Sequence, residues 1–294
     1  MKIIEIIEKI KAYTRGIDVL EGTFKPIDDS RTRDIVVYGT ADKKCTGIVT
    51  TCYASIGVIE KAHEENANFI ICHEALFWNH GDHTDWLEEQ NNRTYLRKKA
   101  LLDEYDITVW RCHDYIHSGI PDGKGGWDDG IFKGFLYETG LDEYYVPSLK
   151  APVQYSPPVM IDMKGMKVKE IADMIMQGAD LNGVRLIGDP ETEIHSACIP
   201  MHIMFDDNRK ITMIDQRNID LVIAMELIDY TVSIYMRDSI ELGDHKAILT
   251  AGHFNTEESG MKYMLKWLPE AIGTDIKTVY VQSGDANQYL LIEE

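Results

Sequence analysis

The sequence predicts an α/β protein built as two αβ lobes with largely parallel or mixed sheets. Short apolar runs such as "NFIIC", "ITVWRC", "DLVIAM" and "KAILTAGH" alternate with stretches of helical spacing, the order expected of strands joined by helices. The chain has 294 residues, enough for one large domain or two smaller ones with ample core. Prolines 147, 152, 157 and 158 crowd the middle of the chain, the best candidate for a connection. We therefore place a first lobe at residues 1–150 and a second at 151–294, the two forming one functional unit.

The elements follow in order. Ile3, Ile4, Ile6, Ile7 and Ile10 fall at helical spacing and Gly16 follows as a stop. Residues 21–44 show weak pattern and read as a loop. "CTGIVTTC" reads as a strand, and "SIGVIEKAHEENA" as a helix capped by Ser55, with Val58, Ile59 and Ala62 inward. "NFIIC" and "ITVWRC" are buried strands, separated by a helix expected to start at Asp85–Glu88 and to run to about Leu102. Residues 119–130 are rich in Gly and Asp and read as an irregular loop. In the second half "VKEIADMIMQGA", "YTVSIYMRDSIELG" and "EESGMKYMLKWLPEAI" read as helices, and "GVRLIG", "IHSACIP", "DLVIAM", "KAILTAGH" and "TVYVQS" as strands.

Composition excludes several classes. Hydrophobic content of 44% with 27% charged residues is that of a soluble globular protein. A formal net charge of -19 repels phosphate backbones, so a nucleic-acid partner is not expected. No run of eighteen apolar residues occurs, so no membrane span is expected. Glu5 and Glu8 interrupt the apolar N-terminus, which does not read as a signal peptide. Five cysteines (45, 52, 72, 112, 198) without regular spacing argue against a disulfide framework and for a reduced, cytoplasmic protein.

Chemistry concentrates at strand ends. "FIICHEALFW" sets His73 and Glu74 side by side where a buried strand should stop. Neighbouring side chains there splay apart, so two ions, one each, suit them better than one ion shared. In "GHFNTEES", His253 ends a strand; Asn255 and Glu258 have capping spacing, and Glu257 in the first helical turn folds back towards His253. "WRCHDYIHSG" adds His113 and His117 past a third strand. Contiguous Cys-His pairs lack the spacing of structural zinc sites, so Cys72 and Cys112 read as small core residues. Taken singly, each motif is short enough to be a solvated loop or a charge near a helix dipole. Together, three strand ends in a parallel sheet would converge His73, Glu74, His117, His253 and Glu257, with His113 close by. Mixed imidazole and carboxylate donors suit zinc, iron, manganese or nickel. His195 and His202 read as core or surface residues, and Glu226 as a weak candidate to support a ligand.

The stretches "TGIVTTCYASIGVIEKAHEENANFIICHEALFW", "ITVWRCHDYIH", "GVRLIGDPETEIHSACIP" and "GHFNTEESG" resemble the Nif-three-like dinuclear metal-binding family, also called GTP cyclohydrolase I type 2 homologues. In that family a histidine pair follows the second strand, an aspartate closes a His-Thr-Asn-Leu-Asp-like turn, and Gly-His-x-x-x-Glu completes the set. His73, His253 and Glu257 match it. Glu74 stands where the second histidine is expected and His117 where the aspartate is, so the tally of three histidines and two carboxylates is preserved. The resemblance implies the Nif-three-like fold, a toroidal assembly in the form of a homohexamer, and two divalent metal ions (Zn, Fe, Mn or Ni) held by His73, Glu74, His117, His253 and Glu257. Such a pair, roughly 3.5–4 Å apart, activates water for hydrolysis, with His113 as a proton carrier. The expected function is a metal-dependent hydrolase of a small, nucleotide-like molecule. The competing expectation is a metal-loaded binding, regulatory or storage protein without turnover. "GKGG" lacks the spacing of a phosphate loop.

Overall fold

Strand and helix alternate along the chain much as the apolar pattern predicts. The computed structural model describes residues 1–20, 23–147, 159–200, 202 and 207–290. The proline-rich connection read from the sequence falls, at residues 148–158, outside them.

Helix α1 (Ile3–Tyr13) buries Ile3, Ile6, Ile7 and Ile10 along one stripe. Strands β1 (Ile17–Leu20) and β2 (Thr23–Pro26) pair antiparallel, and β3 (Val36–Tyr38) follows. The sequence reading had a loop over 21–44. Strand β2 is exposed at every residue, so it carries no alternation to reveal it. Strand β4 (Ile48–Thr51) leads into α2 (Ile56–Glu64), where the Ser55 hydroxyl accepts from the Val58 amide. After β5 (Phe69–Cys72), the helix expected as one piece is two, α3 (Asp85–Glu89) and α4 (Arg93–Glu104). Asn91 sits at φ 49° and breaks the run. The Asn92 side chain then restarts it by accepting from the Thr94 and Tyr95 amides.

Strand β6 (Thr108–Arg111), the short helix α5 (Asp114–Ser118), a two-residue pair β7 (Ile120–Pro121) and β8 (Trp127–Asp128), and α6 (Gly130–Thr139) follow. Next come β9 (Tyr145–Val146), β10 (Val159–Lys167), α7 (Val168–Ala179), β11 (Arg185–Ile187), β12 (Glu193–Ile199) and α8 (Asp207–Gln216). The chain continues with β13 (Leu221–Ala224), α9 (Val232–Glu241), β14 (Ala247–Thr250), α10 (His253–Ile272) and β15 (Thr278–Tyr280). Among the described residues no helix is long and apolar enough to cross a membrane. All five cysteines are buried, and none of them forms a disulfide.

The chain divides into two units. The first takes Met1–Gly134 and Gly260–Ser283. Its sheet has the order β15-β4-β5-β6-β3, parallel except for the edge strand β3. Both faces are covered, which is why β4, β5 and β6 are buried throughout. Ile48, Phe69, Ile71 and Trp110 face α1 and Met261, Met264, Trp267 and Leu268 of α10. Val49, Ile70 and Val109 face Val58 and Ile59 of α2 and Leu102 of α4. The alternation along each strand sends neighbours to opposite cores.

The second unit takes, among the described residues, 135–147, 159–200, 202, 207–259 and 284–290. Its sheet has the order β11-β14-β13-β12-β10-β9, with β12, β13 and β14 parallel and the rest antiparallel. Ala224, Val222, Ile248 and Cys198 pack with Ile214, Val232 and Met236. The histidine-bearing strand ends therefore belong to two sheets, not to one as the sequence reading drew them. The long antiparallel ladder between β10 and β12, from Val159 opposite Ile199 to Lys167 opposite Glu193, starts a sheet of its own.

Candidate metal centre

Each unit carries a cluster of imidazoles and carboxylates. In the first unit, β5 ends at Cys72 and the next residue, His73, is fully buried. Its amide donates to the Cys52 carbonyl at 3.0 Å, and Glu74 donates to the same oxygen at 2.8 Å. The turn is thus pinned to the end of β4. His73 Nδ1 donates to the Cys112 carbonyl at 3.0 Å, which sets the tautomer and makes Nε2 its lone-pair nitrogen.

His113 lies two residues past β6. The Asp34 carboxylate accepts from the amides of His113, Asp114 and Tyr115 at 2.8, 2.7 and 2.9 Å and so caps α5. Burial, with Asp114 nearby, pushes the Asp34 carboxyl up to about 6. His113 Nδ1 donates to Asp114 Oδ1 at 3.0 Å, and Arg33 donates to the same oxygen at 2.7 Å. Burial, and then the neighbouring His73, lowers the His113 imidazole to about 3, so it is neutral at pH 7. His117, in α5, donates Nδ1–H to Asp129 Oδ2 at 2.8 Å. The other Asp129 oxygen accepts from Ile131 and Phe132 and caps α6.

The three rings gather closely. His73 and His113 stack with centroids 4.6 Å apart, and His117 meets them edge-on at 5.0 and 4.9 Å. One ring nitrogen of each lies within 4.8 Å of the others. Beside them Glu74 is held by Arg111, which is 2% exposed and forms an ion pair with Oε2 at 3.2 Å. The same guanidinium donates to the carbonyls of His73 at 3.2 Å and His80 at 2.7 Å. Glu74 Oε1 turns towards His113 Nε2, at 3.9 Å.

In the second unit His253 opens α10 rather than ending a strand, so His253 and Glu257 lie one helical turn apart on one face. The capping pattern at Asn255 had suggested a later start. Asn255 instead donates its side-chain amide to the Ala251 carbonyl. His253 Nε2 is 3.1 Å from Glu257 Oε1. Its Nδ1 donates to Glu226 Oε1 at 2.8 Å, and His202 Nδ1 donates to the same oxygen at 2.7 Å. Burial acts to raise the Glu226 carboxyl, but the two imidazoles outweigh it and hold it down at about 2. His202, Glu226 and His253 also offer donor atoms within 4.8 Å of one another.

Five supporting residues escaped the sequence reading in whole or part. Arg111 lies in an apolar strand and its partners are distant in the chain. Asp129 precedes an apolar helix, a signal for a cap, but nothing local marks its bond to His117. Asp34 lies in a stretch of weak pattern. His202 was read as core or surface, and Glu226 only as a weak support; the structure joins both to His253.

The donor chemistry fits divalent ions. Nitrogen and carboxylate oxygen together suit zinc, iron, manganese or nickel. Ligating histidines commonly hold their other ring N–H on an oxygen, and His73, His113, His117 and His253 all do so. These groups mark a possible metal site, without fixing the number of ions or their identity.

No protein-family model matches the chain. It is 24% identical over 258 residues, 85% of this chain and 87% of the other, to a GTP cyclohydrolase 1 type 2 homolog from Clostridium acetobutylicum. Solved structures match its fold. The Staphylococcus aureus hypothetical protein SA1388 aligns with a TM-score of 0.66 at 14% identity, over 99% of each chain. A Bacillus cereus protein related to NIF3 aligns with a TM-score of 0.65 at 11% identity, also over 99% of each chain. The resemblance to the Nif-three-like family, carried in the sequence by four separate stretches, is thus borne out by a related sequence along most of the chain and by a shared fold along nearly all of it.

Proposed function

We propose that the protein is a dinuclear metal-dependent hydrolase of a small, nucleotide-like substrate, with His73, Glu74, His117, His253 and Glu257 holding two divalent ions. One observation carries the metal-binding part. His253 sits between two carboxylates, its Nδ1 2.8 Å from Glu226 Oε1 and its Nε2 3.1 Å from Glu257 Oε1. An imidazole gathered with carboxylates in this way offers the mixed nitrogen and oxygen donor set of zinc, iron, manganese or nickel sites. The five-residue set draws on both units, and the family resemblance is what supports joining them. The name of the Clostridium relative supports the nucleotide-like substrate.

Bound ions would supply Lewis acidity and activate water near neutral pH. The chain's own residues do the positioning. The Cys112 carbonyl, Asp129 and Glu226 fix the ring tautomers of His73, His117 and His253. Arg111 keeps Glu74 Oε2 engaged, leaving Oε1 turned to the imidazoles.

Elemental analysis of protein purified without chelators tests the metal, with two ions per chain expected. A panel of phosphodiester and nucleotide substrates with added Mn, Zn, Fe or Ni tests turnover. Metal-dependent hydrolysis supports the enzyme; tight metal retention with silence across the panel replaces it with a binding or storage role. The hexamer belongs to the same proposal and is checked by light scattering on the eluted protein.

A further inference from the structure

We infer that Arg33 and His80 form an anion-binding rim beside the imidazoles of the first unit and receive the phosphate group of the substrate. The inference rests on the hydrolase reading for the presence of a substrate, and the residues it adds hold no metal.

Arg33 is fixed from behind. The Asp114 carboxylate grips it twice, Oδ2 accepting from its backbone amide at 3.0 Å and Oδ1 from Nη1 at 2.7 Å. The Thr32 hydroxyl donates to the same Oδ2 at 2.8 Å. Nη1 also lies 3.2 Å from His113 Nδ1, which sets the guanidinium against the histidine cluster. Yet the Arg33 side chain is 31% exposed, against 2% for Arg111. A guanidinium is a planar fork of five N–H donors, so with Nη1 turned to Asp114 its opposite edge is directed away from that carboxylate.

His80 reaches the same rim from the loop after β5. Its carbonyl accepts from Arg111 Nη1 at 2.7 Å. Asn79 braces the loop beside it, donating to the Phe77 and His83 carbonyls at 3.0 and 2.9 Å. His80 is exposed, and its ring meets that of His113 edge-on with centroids 6.4 Å apart. Partial burial lowers the His80 imidazole; Arg33 and Arg111 lower it further, and Glu74 and Asp114 oppose them. The ring therefore lies among the Arg33–Asp114 and Arg111–Glu74 ion pairs, and at pH 7 it is neutral with one N–H to donate.

The charge balance favours an oxyanion here. A formal net charge of -19 repels anions over the chain as a whole. At this rim both carboxylates are already matched, Asp114 by Arg33 and Glu74 by Arg111, so neither stands as an unbalanced charge against an incoming phosphate. An arginine held in a set orientation suits the paired oxygens of a phosphate group.

The test uses the full metal-loaded chain, with binding of inorganic phosphate and of acetate measured by calorimetry and metal content by elemental analysis on the same samples. The parent is expected to bind phosphate more tightly than acetate. R33Q, which can still donate to Asp114, is expected to weaken phosphate by about tenfold or more at unchanged metal content. R33K should fall between the two, because a point charge cannot serve Asp114 and phosphate together as the fork does; it decides the matter if R33Q does not fold. H80A should weaken phosphate by about threefold. No phosphate binding by the parent overturns the inference, as do parent-like phosphate affinity in the Arg33 variants and acetate binding as tight as that of phosphate. If the chain proves to hold no metal, the hydrolase reading falls, while phosphate binding lost with Arg33 upholds the rim.

Discussion

The two clusters solve one problem, holding imidazoles in a fixed tautomer, with different materials. In the first unit three rings lean on three separate oxygens, the cluster is nearly closed to solvent, and a buried arginine balances the neighbouring carboxylate. In the second unit two rings share one oxygen of Glu226, and His202 and His253 stay partly exposed. Separate anchors in a dry setting give rigidity at the cost of burying charge. A shared anchor near water costs less and constrains less, because each ring can drift while the other keeps the carboxylate engaged.

The contrast is sharpest at Arg111. Replacing it with Met strands Glu74 as a buried charge and frees two carbonyls, so R111M should lose about 3–5 kcal/mol of stability by urea unfolding. A loss below about 1 kcal/mol would mean that the first cluster tolerates its charge unaided. At Asp129, Ala removes both the anchor of His117 and the cap of α6. About 1 kcal/mol of stability and a 10–100-fold fall in metal affinity are expected, read by competition against a chelator.

Lys98 extends the comparison to the loop that follows Glu74. Its ammonium is buried, donates to the Leu76 carbonyl at 2.7 Å and lies under the Tyr53 ring. Burial lowers it to about 8. The folded value is below the unfolded one of 10.5, so between those pH values the unfolded chain binds more protons and stability rises with pH. The parent should gain about 2 kcal/mol between pH 8 and 10 relative to K98M, measured as the difference between their pH–stability curves. Parallel curves would show that this burial is not felt. The smallest effect is expected in the second unit. There E226A should weaken metal binding by about tenfold, at the low end of the loss expected from D129A; a larger loss would erase the distinction between the clusters.

Much of this was legible before any coordinates. The isoleucine stripe of α1, the Ser55 cap and the inward face of α2, and the limits of α7 follow from periodicity and capping, which act within a few residues. The helix at 85–102 was misjudged because one left-handed asparagine suffices to split it. His253 and Glu257 were read as a pair, though across a turn and not along a helix, since Asn255 mimics a cap that the structure does not use.

The sequence by itself determined that His73, Glu74, His113, His117 and His253 follow closely after apolar strands, because strand period and residue chemistry are local properties. Only the tertiary structure decided which oxygen each imidazole leans on, that Arg111 reaches Glu74, that His202 meets Glu226, and that the strands bearing His73 and His253 belong to different sheets. Those pairings join residues tens of positions apart, and their partners are chosen by the packing of whole sheets, for which no local pattern in the chain provides a signal.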